Sequence, residues 1–216
     1  MAQQIRAPLP VGYPLVGQRP TPYPRQSAQV LAFVNQKGGT GKTTTAQNLA
    51  MALALHHGKR VLGVDLDPQG NFGQGVYSGP ASALKTADSL LMAPNRVNVD
   101  EYIIPVRSGL DLIHNAFHKD LHEAVDRLPM TPDLLKRQLS PVMQRYDYII
   151  VDTPAGLCRS TQVGIDAADQ VVLVVSCGVY GLRGMVSILE WIRGICSRFH
   201  KPMPKLRVVL NNFDER

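Results

Sequence analysis

Apolar residues in this chain are concentrated in short continuous runs, separated by longer segments in which apolar and polar residues mix. One run, at 30–34, reads VLAFV, and the next, at 60–67, reads RVLGVDLD. The segment between them has helical character over 43–57, and Gly58 is a natural helix stop. Short, nearly continuous apolar runs are typical of strands that are buried on both faces. The pattern therefore predicts a βαβ unit, whose two parallel strands are joined by a right-handed crossover.

The same alternation continues through the rest of the chain. Further strands are predicted over 102–106, 110–114, 146–152, 170–176 and 206–211. Helices are predicted over 118–128, 132–144, 160–168 and 182–199. Strands that alternate with helices give the α/β class, and we expect a mainly parallel, twisted sheet flanked by helices.

Residues 1–28 differ from the rest of the chain. This segment is rich in proline, and its charged residues, Arg6, Arg19 and Arg25, are all positive. Proline at this density prevents helices and sheet ladders, so we expect a disordered or extended tail. The favoured interpretation is a dispensable leader, and the alternative is an arm that contacts a partner or DNA. The folded domain is expected over 29–216.

The composition fits a single cytoplasmic domain. The chain has 216 residues, of which 44% are hydrophobic, enough for one full core. Its formal net charge of +6 favours an acidic partner such as nucleic acid or an anionic surface. No apolar run reaches the roughly 18 residues that a membrane span needs. The cysteines, Cys158, Cys177 and Cys196, have no metal or disulfide spacing, so we expect small buried side chains in a reducing compartment.

A glycine-rich segment joins the first predicted strand to the first predicted helix. Residues 37–44 read KGGTGKTT and match the P-loop pattern G-x-x-x-x-G-K-[ST], except that Lys37 replaces the first glycine. Glycines let backbone N–H groups curve around phosphate oxygens, and the helix directs the positive end of its dipole at the same anion. Lys42 can reach the β- and γ-phosphates, and the Thr43 hydroxyl can ligate Mg²⁺. The predicted nucleotide-binding residues here are Lys37, Gly38, Gly39, Thr40, Gly41, Lys42, Thr43 and Thr44.

Carboxylates stand at the ends of two predicted strands. Asp152 ends the run YDYIIVD, which is the Walker B pattern, and we expect it to hold Mg²⁺ directly or through water. Asp65 and Asp67 end the run RVLGVDLD, and strand alternation predicts that both point to one face. Asp67 is nearer the mouth of the site and is the predicted residue for orienting the attacking water.

Together these motifs identify a family resemblance. The segments KGGTGKTT (37–44), VDLDPQGN (64–71) and YIIVDTPAG (148–156) resemble the ParA/MinD superfamily of P-loop ATPases with a deviant Walker A motif. Within it, the ParA-type partition ATPases are the most similar branch. The similarity starts near residue 30 and includes GLDLIHN (109–115) and the stretch at 167–185.

The resemblance implies ATP and Mg²⁺ as cofactors and assigns several roles. Lys37 resembles the signature lysine that reaches the partner's nucleotide across an ATP-dependent homodimer, which would link hydrolysis to dimerisation. Asp67 matches the acid that positions water. The strand end at 208–214 resembles the adenine-side segment, where Asn211 is favoured over Asn212 because an amide offers both a donor and an acceptor. An ordinary turn asparagine is the alternative.

The resemblance also implies a DNA surface and a departure from it. ParA-type proteins continue with further helices where this chain ends at Arg216, so we expect the usual C-terminal helices to be lacking. A basic segment, 193–207, carries no acid. It can bind DNA through phosphates without reading sequence, or it can be a solvated helix end. The candidate DNA contacts are Arg193, Arg198, Lys201 and Lys205.

Three functions compete on this basis. The favoured one is a slow, partner-stimulated, Mg-dependent ATP hydrolase that binds DNA non-specifically and positions a plasmid, chromosome or protein cargo. It would be cytoplasmic and nucleoid-associated, and its partner would be a ParB-like or cargo-adaptor protein. The alternative is a weakly catalytic or non-catalytic nucleotide-binding regulator. A MinD-like membrane switch is disfavoured because the chain ends in LNNFDER, which is not an amphipathic helix.

Overall fold

A computed structural model describes residues 27–79, 85–94, 97–116, 118–177 and 179–211. Almost all of the predicted N-terminal tail lies outside the described residues, and so do Asn212 and the rest of the predicted adenine-side segment after Asn211.

The described strands form one seven-stranded sheet, and its order is β3-β4-β2-β5-β1-β6-β7. In chain order the strands are β1 (Gln29–Val34), β2 (Val61–Asp65), β3 (Ile103–Arg107), β4 (Leu110–Ile113), β5 (Tyr148–Asp152), β6 (Gln170–Ser176) and β7 (Lys205–Asn211). Every neighbouring pair is parallel except β3 and β4, which are antiparallel. The predicted α/β class with a mainly parallel sheet is therefore confirmed.

Helices connect the parallel strands. They are α1 (Lys42–His57), α2 (Asn71–Val76), α3 (Ala87–Met92), α4 (Lys119–Asp126), α5 (Leu134–Leu139), α6 (Arg159–Ala167) and α7 (Val179–Arg198), with 3₁₀ turns at Val99–Tyr102 and Met143–Arg145. The helix predicted over 132–144 is too long, because α5 ends before Pro141 and a short turn follows. The short helices α2 and α3 were not predicted.

The sheet is covered on both faces, which explains the near-continuous apolar strands. On one face, residues of β1 and β6 pack against the alanines of α1 and against Phe72 of α2. On the other face, one cluster joins β1, β2 and β5 to α3, α4, α5 and α6, and another joins β6 to α7. The long crossovers thus place the carboxyl ends of the six mutually parallel strands along one edge of the sheet, where the predicted site residues lie.

The edge strand β7 is the exception to this burial. Leu206, Val208 and Leu210 alternate along it and are 37%, 52% and 62% exposed. Their register partners in β6 are the residues that pack under α7. Within the described residues, α7 therefore covers β6 but leaves this apolar face of β7 open.

Two further sequence expectations can be compared with the fold. Cys196 is buried as expected, but Cys177 is exposed and Cys158 is partly exposed, so the expectation of three buried cysteines is wrong for these two. Among the described helices, none is both long and apolar enough to cross a bilayer.

An ion pair joins the residues that immediately precede β2 and β5. Arg60 Nη2 lies 2.8 Å from Asp147 Oδ1, and the Arg60 backbone N–H donates to Asp147 Oδ2 at 2.8 Å. The side-chain hydrogen bond from Arg60, followed by its backbone hydrogen bond and charge, outweighs burial and lowers the pKa of Asp147 below its ordinary value. The carboxylate therefore stabilises the folded chain only while it is ionised.

We predict that Asp147→Asn lowers the free energy of unfolding at pH 7 by about 1 kcal/mol or less, because the pair is partly exposed to solvent. The pKa of Asp147 is lower in the folded state than in the unfolded state, where it is about 4. The stabilising contribution of the ion pair is therefore fully present above about pH 4. It is lost as the pH falls through the lower folded-state pKa. Urea unfolding of both proteins at pH 7 and pH 3 measures it. A difference that stays constant, or grows, at acid pH contradicts the assignment.

Candidate functional site

The glycine-rich segment 37–44 is held at its start by Asn35. The Asn35 side chain accepts a hydrogen bond from the Lys37 backbone N–H at 2.8 Å and donates one to the carbonyl of Val174 in β6. Gly39 and Gly41 have φ values of 76° and 82°, a region that favours glycine. The loop turns tightly there and leads into α1.

Helix α1 begins directly after this loop. Gly41 occupies the position before the helix, and its carbonyl accepts hydrogen bonds from the Thr45 backbone N–H at 2.8 Å and the Thr45 hydroxyl at 2.7 Å. The first turn of α1 contains no acidic residue. The positive end of the helix dipole is therefore not neutralised by a side chain of this turn, and it faces the loop.

Asp152 lies at the centre of the site, at the end of β5. Lys42 Nζ is 2.8 Å from its Oδ1, and the Thr43 hydroxyl donates to its Oδ2 at 2.7 Å. Asp152 is fully buried and Lys42 is 7% exposed. Burial raises the pKa of Asp152, although the Lys42 charge and the hydrogen bonds from Lys42 and Thr43 oppose that shift. The structure thus brings together the three residues from which the sequence predicts phosphate and metal binding.

The two aspartates after β2 are positioned differently from each other. Asp65 is the last residue of the strand, is fully buried and pairs in register with Asp152. Burial, and then the charge of Asp152, raise the pKa of Asp65 well above its ordinary value. Asp67 is partly buried and lies beyond the strand, where its carboxylate accepts the Gln69 backbone N–H at 2.9 Å. Because β2 ends at Asp65, strand alternation does not extend to Asp67, and the predicted shared face of the two side chains stays a prediction.

The remaining residues of the P-loop segment line its open side. Lys37, Gly38, Gly39 and Thr44 are exposed, whereas Thr40 is buried. The Thr40 hydroxyl has no hydrogen-bond partner among the described residues. A buried hydroxyl beside exposed glycine N–H groups fits a loop that binds an oxygen-rich anion, since an unmade hydrogen bond is costly in a buried site.

Asn211 is adjacent to this loop at the end of β7. Its amide donates to the Thr40 carbonyl at 2.8 Å. A Cβ added to Gly41 would lie 2.2 Å from the same amide nitrogen. The structure therefore brings the predicted adenine-side residue next to the P-loop, while its role toward a base remains a prediction.

The predicted DNA contacts do not form one cluster. Arg193, Arg198 and Lys205 are exposed. Lys201 is instead paired with Asp133 at 2.7 Å and Asp166 at 2.6 Å, so the prediction that it contacts DNA does not fit its position. Lys205 shares the strand face of Val209, which packs toward α1, whereas Arg193 and Arg198 belong to α7 on the other side of the sheet.

A buried polar group beside Asp67 was missed by the sequence reasoning. His114 and Asn115, which follow β4, are 4% and 0% exposed, and Asp88 of α3 is also buried. The sequence pattern could have indicated this group, because polar residues that follow a parallel apolar strand lie at the same sheet edge as the other site residues. Among the described residues, no group of three or more histidines, cysteines or acids is arranged to hold a metal ion.

These residues can act together on a phosphate chain. Lys42 supplies a cation, the start of α1 supplies N–H donors, and Thr43 and Asp152 supply oxygen atoms of the kind that Mg²⁺ prefers. All four features converge on the carboxyl edge of the sheet. The site therefore fits a nucleoside triphosphate with a magnesium ion better than a purely structural turn.

Comparisons with known proteins agree with this geometry. Residues 28–205 match the family described as AAA domain. The chain is 34% identical to an uncharacterized protein of Mycobacterium tuberculosis over 91% of its own length, but it spans only 63% of that relative. It is also 34% identical to the chromosome partitioning protein ParA of Caulobacter vibrioides, with 87% of this chain and 71% of the relative covered.

A solved structure extends the comparison. The cobyrinic acid a,c-diamide synthase of Mycobacterium smegmatis, solved with a bound ATP analog and magnesium, superposes with a TM-score of 0.76 and 29% identity, covering 88% of this chain and 77% of that one. Taken with the match to 28–205 and the similarity to ParA, these findings show that the chain belongs to the ParA/MinD superfamily of P-loop ATPases.

Proposed function

We propose that this chain is a Mg-dependent ATPase that dimerises with ATP, binds DNA without sequence preference and positions a cargo. The observation that supports it most directly is the contact of Lys42 and Thr43 with one carboxylate, that of Asp152, at the start of α1. The M. smegmatis structure, which contains an ATP analog and magnesium, and the partition function named for the Caulobacter relative support the choice of ligand and role.

The residues of the P-loop bind and orient the nucleotide in this proposal. Lys42 leaves the Asp152 carboxylate and contacts the phosphates, while the backbone N–H groups of 38–44 surround the phosphate oxygens. Thr43 and Asp152 then hold the magnesium ion, with Asp152 acting directly or through a water molecule. A bound magnesium ion neutralises charge on the phosphates, so the protein's contribution is positioning and electrostatic stabilisation.

Asp67 orients the attacking water. Its carboxylate is close enough to Asp152 that its charge raises the pKa of that residue, and it is less buried than Asp65. A partly exposed carboxylate at the mouth of the site can accept a proton or hydrogen bond from water, whereas Asp65 uses its oxygens on backbone N–H groups.

Lys37 acts on a second copy of the chain. It is exposed at the open side of the loop, although its backbone is fixed by Asn35. A cation at this position can neutralise charge at the nucleotide of a partner subunit, as an arginine finger does in trans. Dimerisation and hydrolysis are then linked, and a ParB-like or adaptor protein stimulates the turnover.

Gly41→Ala tests nucleotide binding at the loop. Its φ of 82° disfavours alanine, and the new methyl group would lie 2.2 Å from the Asn211 amide. We expect at least a tenfold (about 1.4 kcal/mol) loss of affinity for a fluorescent ATP analog. Gly194→Ala is the matched control, since nothing lies within 4 Å of its added Cβ. Equal affinities in both variants argue against the loop as the phosphate site.

Lys37→Ala and Asp67→Ala separate dimerisation from hydrolysis. Both should bind ATP with about the wild-type affinity, because Lys42 is intact. Lys37→Ala should lose the ATP-dependent dimer and its hydrolysis, whereas Asp67→Ala should keep the dimer and lose hydrolysis. Sedimentation velocity and phosphate release, each with ATP and with ADP, measure the two effects.

The control for this pair is Lys59→Ala, an exposed lysine beyond the far end of α1. Background turnover in the wild type and in Asp67→Ala alike, with DNA present, would instead favour the non-catalytic regulator. A wild-type chain that stays monomeric with ATP contradicts the dimer.

The DNA-binding part of the proposal can be tested on α7. Arg193→Glu combined with Arg198→Glu should weaken binding to unrelated duplexes equally and reduce the slope of log affinity against log salt by about 1 for each lost phosphate contact. Fluorescence anisotropy over a salt series gives both quantities. Arg127→Glu, at an exposed arginine just after α4, should leave the slope unchanged; similar losses in both proteins would refute a local surface.

A further inference from the structure

The segment that carries Asp67 is tied at both ends to one carboxylate. Asp65 Oδ1 accepts the backbone N–H of Asp67, and its Oδ2 accepts that of Gly73, each at 3.0 Å. Within the segment, the Gly70 N–H donates to the Asp67 carbonyl at 2.9 Å. These hydrogen bonds fix the backbone conformation of 67–73. They do not set the distance between this segment and the end of the neighbouring strand β4.

That distance is set by a contact with the residues that follow β4. A Cβ added to Gly73 would lie 2.3 Å from His114 Nδ1, and one added to Gly70 would lie 2.5 Å from the Asn115 carbonyl oxygen. Gly70 therefore rests against both residues and Gly73 against the His114 ring, in each case with no room for a methyl group. Gly70 also has a φ of 67°, so its backbone shape depends on glycine as well.

The surface that these glycines touch is itself rigid. The His114 carbonyl accepts the Ala87 N–H at 2.8 Å, and the Asn115 amide donates to Asp88 Oδ1 at 3.1 Å. Ala87 and Asp88 begin α3, whose first turn is closed by a capping box. The start of α3 thus fixes the backbone at 114–115 from which the imidazole extends, and the ring can limit how closely the segment approaches.

The His114 ring acts through its shape. Neither ring nitrogen has a hydrogen-bond partner among the described residues, and only 4% of the residue is exposed. Burial lowers the pKa of His114, so the ring is neutral near pH 7. A buried imidazole without such partners is costly, and its flat five-membered ring is the part that meets Gly73.

We propose that His114 is a positioning residue, whose ring holds the segment 67–73 against β2 so that the Asp67 carboxylate faces Asp152 and the P-loop. This inference rests on the proposed function, since it acts through the water-orienting role of Asp67. His114 contacts neither the phosphates nor the attacking water in this account.

A double-mutant cycle between Gly73 and His114 tests it. Gly73→Ala pushes the segment off the ring and should lower kcat about tenfold or more, since small displacements of catalytic groups have large effects. His114→Ala loosens the segment and should lower kcat by a smaller factor. In the double variant the new methyl group enters the space of the missing ring, so its kcat should exceed that of Gly73→Ala.

Nucleotide affinity is the second measurement, because a purely structural role would lower it together with turnover. We expect the affinity for the ATP analog to stay within about twofold in all three variants, since the P-loop is untouched. Gly194→Ala and His57→Ala, at a helical glycine with free space and at an exposed histidine, are the matched controls and should behave as wild type. If the fold-change in kcat of the double variant equals the product of the fold-changes of the two single variants, the proposal is overturned.

Amide hydrogen exchange keeps this test independent of turnover. With nucleotide bound, His114→Ala and Gly73→Ala should each speed amide exchange at 69–73 and leave 38–44 unchanged. If wild-type protein binds ATP without hydrolysing it, the proposed function fails, but this exchange pattern still decides the positioning role. Unchanged amide exchange at 69–73 in folded Gly73→Ala overturns it, even where His114→Ala does not fold.

Discussion

The buried pair of Lys42 and Asp152 is the interaction on which the rest of the site depends. Removing both charges from water is expensive, and their attraction repays that cost only when geometry is good and further hydrogen bonds are made. Here the Thr43 hydroxyl supplies one of those bonds. In the proposed function, an incoming phosphate would take the lysine and a divalent ion would take the oxygens, so the three groups would exchange partners within the folded domain. An ion pair whose two members each have an alternative partner in the ligand is suited to a nucleotide switch.

The sheet topology supplies the precision that this exchange requires. β5 lies between β1 and β2, so Asp152 is flanked by the start of the P-loop on one side and by Asp65 on the other. The Thr153 hydroxyl donates to the Phe33 carbonyl at 2.7 Å, and the Gly156 N–H donates to the Asn35 carbonyl at 3.1 Å, so hydrogen bonds join the segments after β1 and β5.

The sequence predicted those parts whose chemistry is local. Apolar runs predicted the strands, and the loop at 37–44 with Asp152 predicted which groups would meet, because parallel strands bring their carboxyl ends to one edge. Helix α2 was missed because six residues with two glycines have little helical propensity, and it is held by Phe72 packing over Gly63. The pairing of Lys201 and the contact of His114 were also missed, since both arise between elements that only the fold brings together.

The open apolar face of β7 has a practical consequence for solution behaviour. An edge strand with such a face invites pairing with another molecule, and this attraction strengthens in sulfate or phosphate because those salts are excluded from protein surfaces. Association through phosphate contacts on nucleic acid responds in the opposite sense, since added ions compete for the backbone. Raising the concentration of such a salt would therefore distinguish self-association through β7 from association on nucleic acid. The two look alike in a pelleting or light-scattering measurement.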